Sequence, residues 1–145
     1  MTRALLPTTI ILTAGLVLGV SLTGNVEGLL ALYVAAVGFS MVASLWGMTL
    51  ALWARTQQVG PLIQNGVFLA VFLSTAYTPE FLLQGWLASF APYNPTTYVL
   101  ELGRQATVEG IAPSWAHTWP GLLALAGMAA LWGLVALRGL QRLGR

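Results

Sequence analysis

The chain contains no cysteine, no lysine and no aspartate. Without cysteine it has neither a disulfide framework nor thiol chemistry. Without lysine it cannot form a phosphate-binding G-x-x-x-x-G-K-[ST] loop, so it cannot itself bind ATP in that way. Charge of either sign is scarce: six arginines and four glutamates make up 7% of 145 residues, against about 25% in an average soluble domain. That excludes a soluble globular domain. The only histidine, His117, stands alone, and no H-E-x-x-H pattern occurs, so zinc-protease chemistry is excluded as well.

What is present is hydrophobic, at 57% of the chain. The intervals between charges are 4–26, 28–54, 56–79 and 110–137, each long enough for the roughly 20 apolar residues that cross a bilayer. The expected fold is an all-α polytopic membrane protein. Exclusive use of arginine, with abundant Ala, Gly, Leu and Trp, points to a GC-rich bacterial genome.

Four spans are expected, at about 5–23, 29–53, 62–77 and 119–137, with an outer hairpin at 79–113, in a single transmembrane domain 1–145. A signal peptide competes for the first run, but that run exceeds the roughly 7 to 15 residues of a signal core. Glu27 falls in the first turn of the second span, where the helix dipole favours an anion. Pro61 suits the first turn of the third. Residues 81–100 are also uncharged, yet Pro92, Asn94 and Pro95 break any helix long enough to cross.

Charge sets the orientation. With four spans and the N-terminus inside, Arg3, Arg55, Arg138, Arg142 and Arg145 are cytoplasmic. Only Arg104 and the glutamates lie outside, as the positive-inside rule prefers. A fifth crossing would move the three C-terminal arginines out. Both termini are therefore expected in the cytoplasm, in a multi-pass protein of the bacterial inner membrane.

Against this background the segment 91–105, "APYNPTTYVLELGRQ", is unusually polar. Upstream, "TPEFLLQGWLASFA" reads as a helix starting at Thr78, with Leu82, Leu83, Trp86, Leu87 and Phe90 on one apolar stripe. Pro92 ends it; Asn94 then caps a second helix that opens on Pro95. Glu101 and Arg104, three apart, share a face and can pair. One reading is an interfacial hairpin whose polar face meets water.

These residues resemble the membrane-spanning permease subunit of bacterial type-2 ABC exporters, most nearly the drug-exporter kind. That family's signature places Pro, an apolar residue or Thr, any residue, then His, Arg, Ser or Tyr, and later Arg or Gln. Pro95, Thr96, Thr97, Tyr98 and Arg104 match it, and "TPEFLLQGWLASFAPYNP" is similar to the family's upstream run. The resemblance is specific from about residue 55 onwards and rests on topology before that.

The resemblance implies a permease, multidrug or otherwise, that forms the export pathway as a homo- or heterodimer with a second permease copy. A separate ATPase subunit would carry ATP and magnesium; this chain would bind no cofactor or metal and would not be an enzyme. Membrane lipid is an expected partner and nucleic acid is not. The family has six spans, so these four would correspond to spans three to six, without the first two and the main coupling loop.

The resemblance also assigns roles. Pro95, Tyr98, Glu101 and Arg104 would set the geometry of the outer hairpin that caps the pathway. Asn65, Phe68, Phe72 and Thr75 recur at helical spacing on the third span, which would flank the pathway. Arg55, Gln57 and Gln58, in the short loop "ARTQQVG", are candidate ATPase contacts. Each has a plainer alternative: ordinary helix packing for the first stripe, a solvated turn for the loop.

Other functions find less support. Ser40 lies mid-span with no base near it in sequence, which speaks against an intramembrane serine hydrolase. The span interiors carry no ionisable residue, which speaks against proton-coupled transport. A small four-span scaffold or assembly protein without transport of its own remains the alternative. Small residues recur at Gly15 and Gly19, at Ala36, Ser40 and Ser44, at Ala43, Gly47 and Ala51, and at Ala129 and Gly133. Such spacing lets helices approach closely.

Overall fold

The structure, a computed structural model, describes residues 2–19, 26–54, 59–76, 85–107 and 114–143. Every regular element among them is helical: α1 (Thr2–Val17), α2 (Val26–Ala54), α3 (Val59–Phe72), α4 (Trp86–Phe90), α5 (Pro95–Arg104) and α6 (Trp115–Leu143). A 3-10 turn, Ala91–Tyr93, joins α4 to α5.

Among the described residues two helices, Val26–Ala54 and Trp115–Gln141, are long and apolar enough to cross a membrane; α1 and α3 are shorter apolar helices. At 1.5 Å per residue the 29 residues of α2 extend about 43 Å, whereas the 14 of α3 extend only about 21 Å. α2 starts three residues before the expected span, with Glu27 in its first turn as expected. α6 overruns its expected span at both ends and accommodates Pro120 in its second turn.

Two expected spans are cut short. The first was expected to run to residue 23, but α1 stops at Val17 and Gly19 adopts φ +95, a left-handed stop that favours glycine. The third was expected to reach residue 77, but α3 ends at Phe72. There the Ser74 hydroxyl donates to the Val71 carbonyl, and the Ser74 N–H also turns to Val71, 3.1 Å away, instead of continuing the α-helical ladder. The helix expected from Thr78 is likewise interrupted. Residues 77–84 lie outside the described set, Gly85 sits at φ +69, and α4 spans only Trp86–Phe90.

Helix directions follow from close approaches. A Cβ on Gly38 would meet Leu125, the Thr49 hydroxyl lies 3.2 Å from the Trp132 carbonyl, and Gly139 faces Leu52 and Trp53. The register advances together along both chains, so α2 and α6 run parallel. Trp46 and Trp132 lock them with an edge-to-face contact, centroids 4.4 Å apart. α3 runs antiparallel to α2, with Gly47 facing Ile63 and Gly66 facing Trp46. A hydroxyl contact of 2.9 Å between Thr9 and Tyr33 ties α1 to α2.

α5 fills the space between α2 and α6, antiparallel to both. Ala31, Ala35 and Val42 of α2, Val99 and Leu102 of α5, and Leu125 of α6 form the buried core. Glycines seat the wedge: a Cβ on Gly28 would come within 2.6 Å of the Gln105 carbonyl, and one on Gly121 within 2.8 Å of the Tyr98 carbonyl. Both obstacles are backbone and cannot yield. The wedge is sized for glycine.

Candidate functional site

The site is the polar segment around α5 and the end of α3 against which it rests. A helix leaves its last four carbonyls without intrahelical donors. The early stop of α3 therefore exposes acceptors in the middle of an apolar bundle, where each unpaired group would cost about 1–3 kcal/mol.

The polar segment supplies the missing donors. Asn94 caps α5, its Oδ1 accepting from the Thr96 N–H at 3.0 Å, while its Nδ2 donates to the Ala70 carbonyl at 2.7 Å. Arg104 donates through both terminal nitrogens to Thr75, one to the hydroxyl at 3.2 Å and one to the backbone carbonyl. A cation at that end also complements the C-terminal dipole of α3. Within the segment from Ala91 to Arg104, Thr97 donates to the Ala91 carbonyl and Tyr98 to the Pro92 carbonyl, each at 2.8 Å.

The water-facing polar surface considered for this hairpin is not what α5 presents. Thr96, Thr97, Val99, Leu102 and Gly103 are buried, as is Gln105 just beyond the helix. The helix places these side chains against α2 and α6 because its apolar and small residues recur at three and four. Its polar groups serve backbone acceptors.

Two apolar cavities flank Thr96, and α3 forms part of the wall of each. One, about 320 Å³, lies between Leu32, Ala35, Phe39, Val71, Thr96 and Arg104. The other, about 180 Å³, lies between Val42, Trp46, Gly66, Ala70, Thr96 and Trp132. The indole Nε1 of Trp46 is buried there with no hydrogen-bond partner.

The residues singled out from sequence fare differently. Pro95 opens α5 behind the Asn94 cap, as expected. Tyr98 and Arg104 carry the hairpin bonds just described, and Glu101 is half-buried on the same helix. Asn65, Phe68 and Phe72 lie on an exposed face of α3, the two rings stacked with centroids 6.0 Å apart. Thr75 does not belong to that stripe. It follows the helix end and is fully buried under Arg104. Arg55, Gln57 and Gln58 lie outside the described residues.

Sequence reasoning missed Ala70 and Thr75 as acceptors, and with them the function of Asn94 beyond its cap. It also missed Gln105, Gly28 and Gly121. A backbone carbonyl carries no sequence signal. Glycines inside two long helices hint at close approach, but nothing in the sequence says to what.

The family described as ABC-2 type transporter has a sequence model that matches residues 1–108. The match covers α1 to α5, including the N-terminal part where the motifs alone were uninformative. Comparison with curated proteins and with solved structures gives no match.

Proposed function

The chain belongs to the ABC-2 type transporter family, and we propose that it is the permease subunit of an ATP-driven exporter, working as a dimer with a separate ATPase. ATP and magnesium reside on that partner, since this chain has no lysine for a phosphate loop. The chain lies in the bacterial inner membrane with both termini in the cytoplasm. The parallel course of α2 and α6 favours that orientation, because it brings the C-terminal ends of both helices, that of α6 carrying Arg138, to one side.

The observation that carries the mechanism is the way α5 is held. Thr96 faces the same cavity as Phe39 and Val42, near the middle of α2, while Gln105 reaches Gly28 at its start. In a bilayer α5 is then the returning arm of a re-entrant segment: the chain turns at mid-depth before Pro95, and α5 runs back outward to Arg104. Irregular backbone at that depth is tolerated only when protein groups satisfy it, which is the service of Asn94, Thr97, Tyr98 and Arg104. The polar segment is a lid built to exist inside a membrane.

The lid is fixed unequally. It is wedged into α2 and α6 by backbone-to-backbone contact at Gly28 and Gly121 but tied to α3 by side chains, Asn94 to Ala70 and Arg104 to Thr75. Both cavities lie along α3. Outward opening therefore separates α3 from the unit formed by α2, α5 and α6, releasing the two ties and joining the cavities into a path. The stacked Phe68 and Phe72 on the exposed face of α3 meet the second permease copy. ATP binding on the partner drives the change through the cytoplasmic loop containing Arg55, Gln57 and Gln58.

Purification from native membranes tests the reading. The chain should retain a P-loop ATPase, and the reconstituted complex should export substrate only with ATP. Recovery without any P-loop protein, together with vesicles inert to ATP, would overturn it.

A further inference from the structure

A second cavity-bearing site lies at the opposite face of the wedge, where α2 and α6 begin. It encloses about 460 Å³. Unlike the cavities beside α3 it has a polar rim: Glu27 on α2, Gln105 after α5, and Ser114 and Thr118 at the start of α6. Gln105 links the end of α5 to the starts of both α2 and α6. Gly28, next to Glu27, abuts the Gln105 carbonyl; Gln105 Oε1 lies 3.3 Å from the Thr118 hydroxyl, which donates to Ser114 at 2.9 Å.

One group in this rim lacks the partner its burial calls for, and an exposed carboxylate stands beside it. Gln105 is 1% exposed, yet its Nε2 has no acceptor. The Glu27 carboxylate is not matched by a described cation: Arg104 is committed to Thr75, and Arg138 lies at the far end of α6. Beside them Trp115 is 73% exposed, its ring available to a cation. Below the rim, Leu30, Val34 and Leu122 form an exposed apolar trough that descends between the two parallel helices.

An amide donor asks for an anionic oxygen, a carboxylate beside an indole asks for a cation, and a trough asks for a chain. We infer that this groove binds a zwitterionic aminophospholipid from the outer leaflet. Its ammonium sits between Glu27 and Trp115, its phosphate receives the Gln105 amide, and an acyl chain lies along Leu30, Val34 and Leu122. A hydrogen-bonding primary ammonium suits the carboxylate better than a quaternary one. The inference rests on the proposed orientation, with the starts of α2 and α6 at the outer side of a bilayer, and does not depend on transport.

The test is lipid retention by the purified full chain in mixed micelles, read by native mass spectrometry with phosphatidylethanolamine, phosphatidylcholine and phosphatidylglycerol at equal fractions. Phosphatidylethanolamine should be retained about tenfold over phosphatidylglycerol, with phosphatidylcholine between them. Glu27→Gln, at an exposed position that should not disturb folding, should remove most of the preference for phosphatidylethanolamine. Gln105→Leu should lower retention of all three lipids, since each bears the phosphate, with helicity measured alongside. Equal retention of the three lipids by the wild-type chain, or an unchanged preference in Glu27→Gln, would overturn the proposal. Soluble phosphoethanolamine that displaces the lipid at equal concentration would overturn a lipid as the occupant.

Discussion

Asn94 joins two helices with one side chain: its Oδ1 caps α5 at the Thr96 N–H, and its Nδ2 donates 2.7 Å to the Ala70 carbonyl of α3. The cap stabilises the half-helix, and the donation satisfies a helix-end carbonyl that α3 leaves open. The two functions are separable by substitution.

Asn94→Ala should lose both and lower stability by about 2 kcal/mol. Asn94→Ser keeps a capping oxygen but is too short to reach the Ala70 carbonyl, so it should fall between wild type and Asn94→Ala. Thermal unfolding in detergent measures the order. Equal stability of the Ala and Ser variants would deny the cap any contribution.

Arg104 and Thr75 form the second tie between the hairpin and α3. Thr75→Val removes only the hydroxyl acceptor and should be mild, whereas Arg104→Ala abandons the carbonyl too and should impair export. In the double variant the two effects should not add. Glu101, three residues before Arg104, is the other candidate partner. If Glu101 and Arg104 act as a pair, their double Ala variant should be no worse than the poorer single. Simple additivity there would leave Arg104 to Thr75.

Glycine positions offer an internal control. Gly28→Ala and Gly121→Ala force a Cβ against backbone and should cost about 1–3 kcal/mol. Gly127→Ala and Gly133→Ala meet open space on α6, so helix propensity alone should act and stability should rise by up to about 1 kcal/mol. Reversal of this order, read from melting in the same detergent, would remove the wedge as the reason for glycine.

Topology is open to labelling because the chain has no cysteine of its own. Single cysteines at Ser89 and Gly144, treated on intact cells with an impermeant maleimide, should be labelled at 89 and not at 144. The converse pattern would invert the orientation.

Coupling is tested in the loop before α3. Replacing Arg55 and Gln57 with Glu should lower transport-coupled ATP hydrolysis in the assembled complex while leaving membrane insertion intact. Unchanged hydrolysis would exclude this loop from the ATPase contact.

The sequence by itself determined the solvent, the helical class and the family, because each is written in local terms. Charge scarcity and run length identify a membrane chain, and the Asn94–Pro95 pair marks a helix start that the structure contains. The same local terms could not place the ends of α1 and α3, since Gly19 and Ser74 act through backbone geometry that an apolar run conceals. Nor could they say what the polar segment addresses. Its partners are the carbonyls of Ala70, Thr75, Ala91 and Pro92, and every residue has a carbonyl. Only the tertiary structure decided which of them would be stranded away from water, and so which side chains had to reach them.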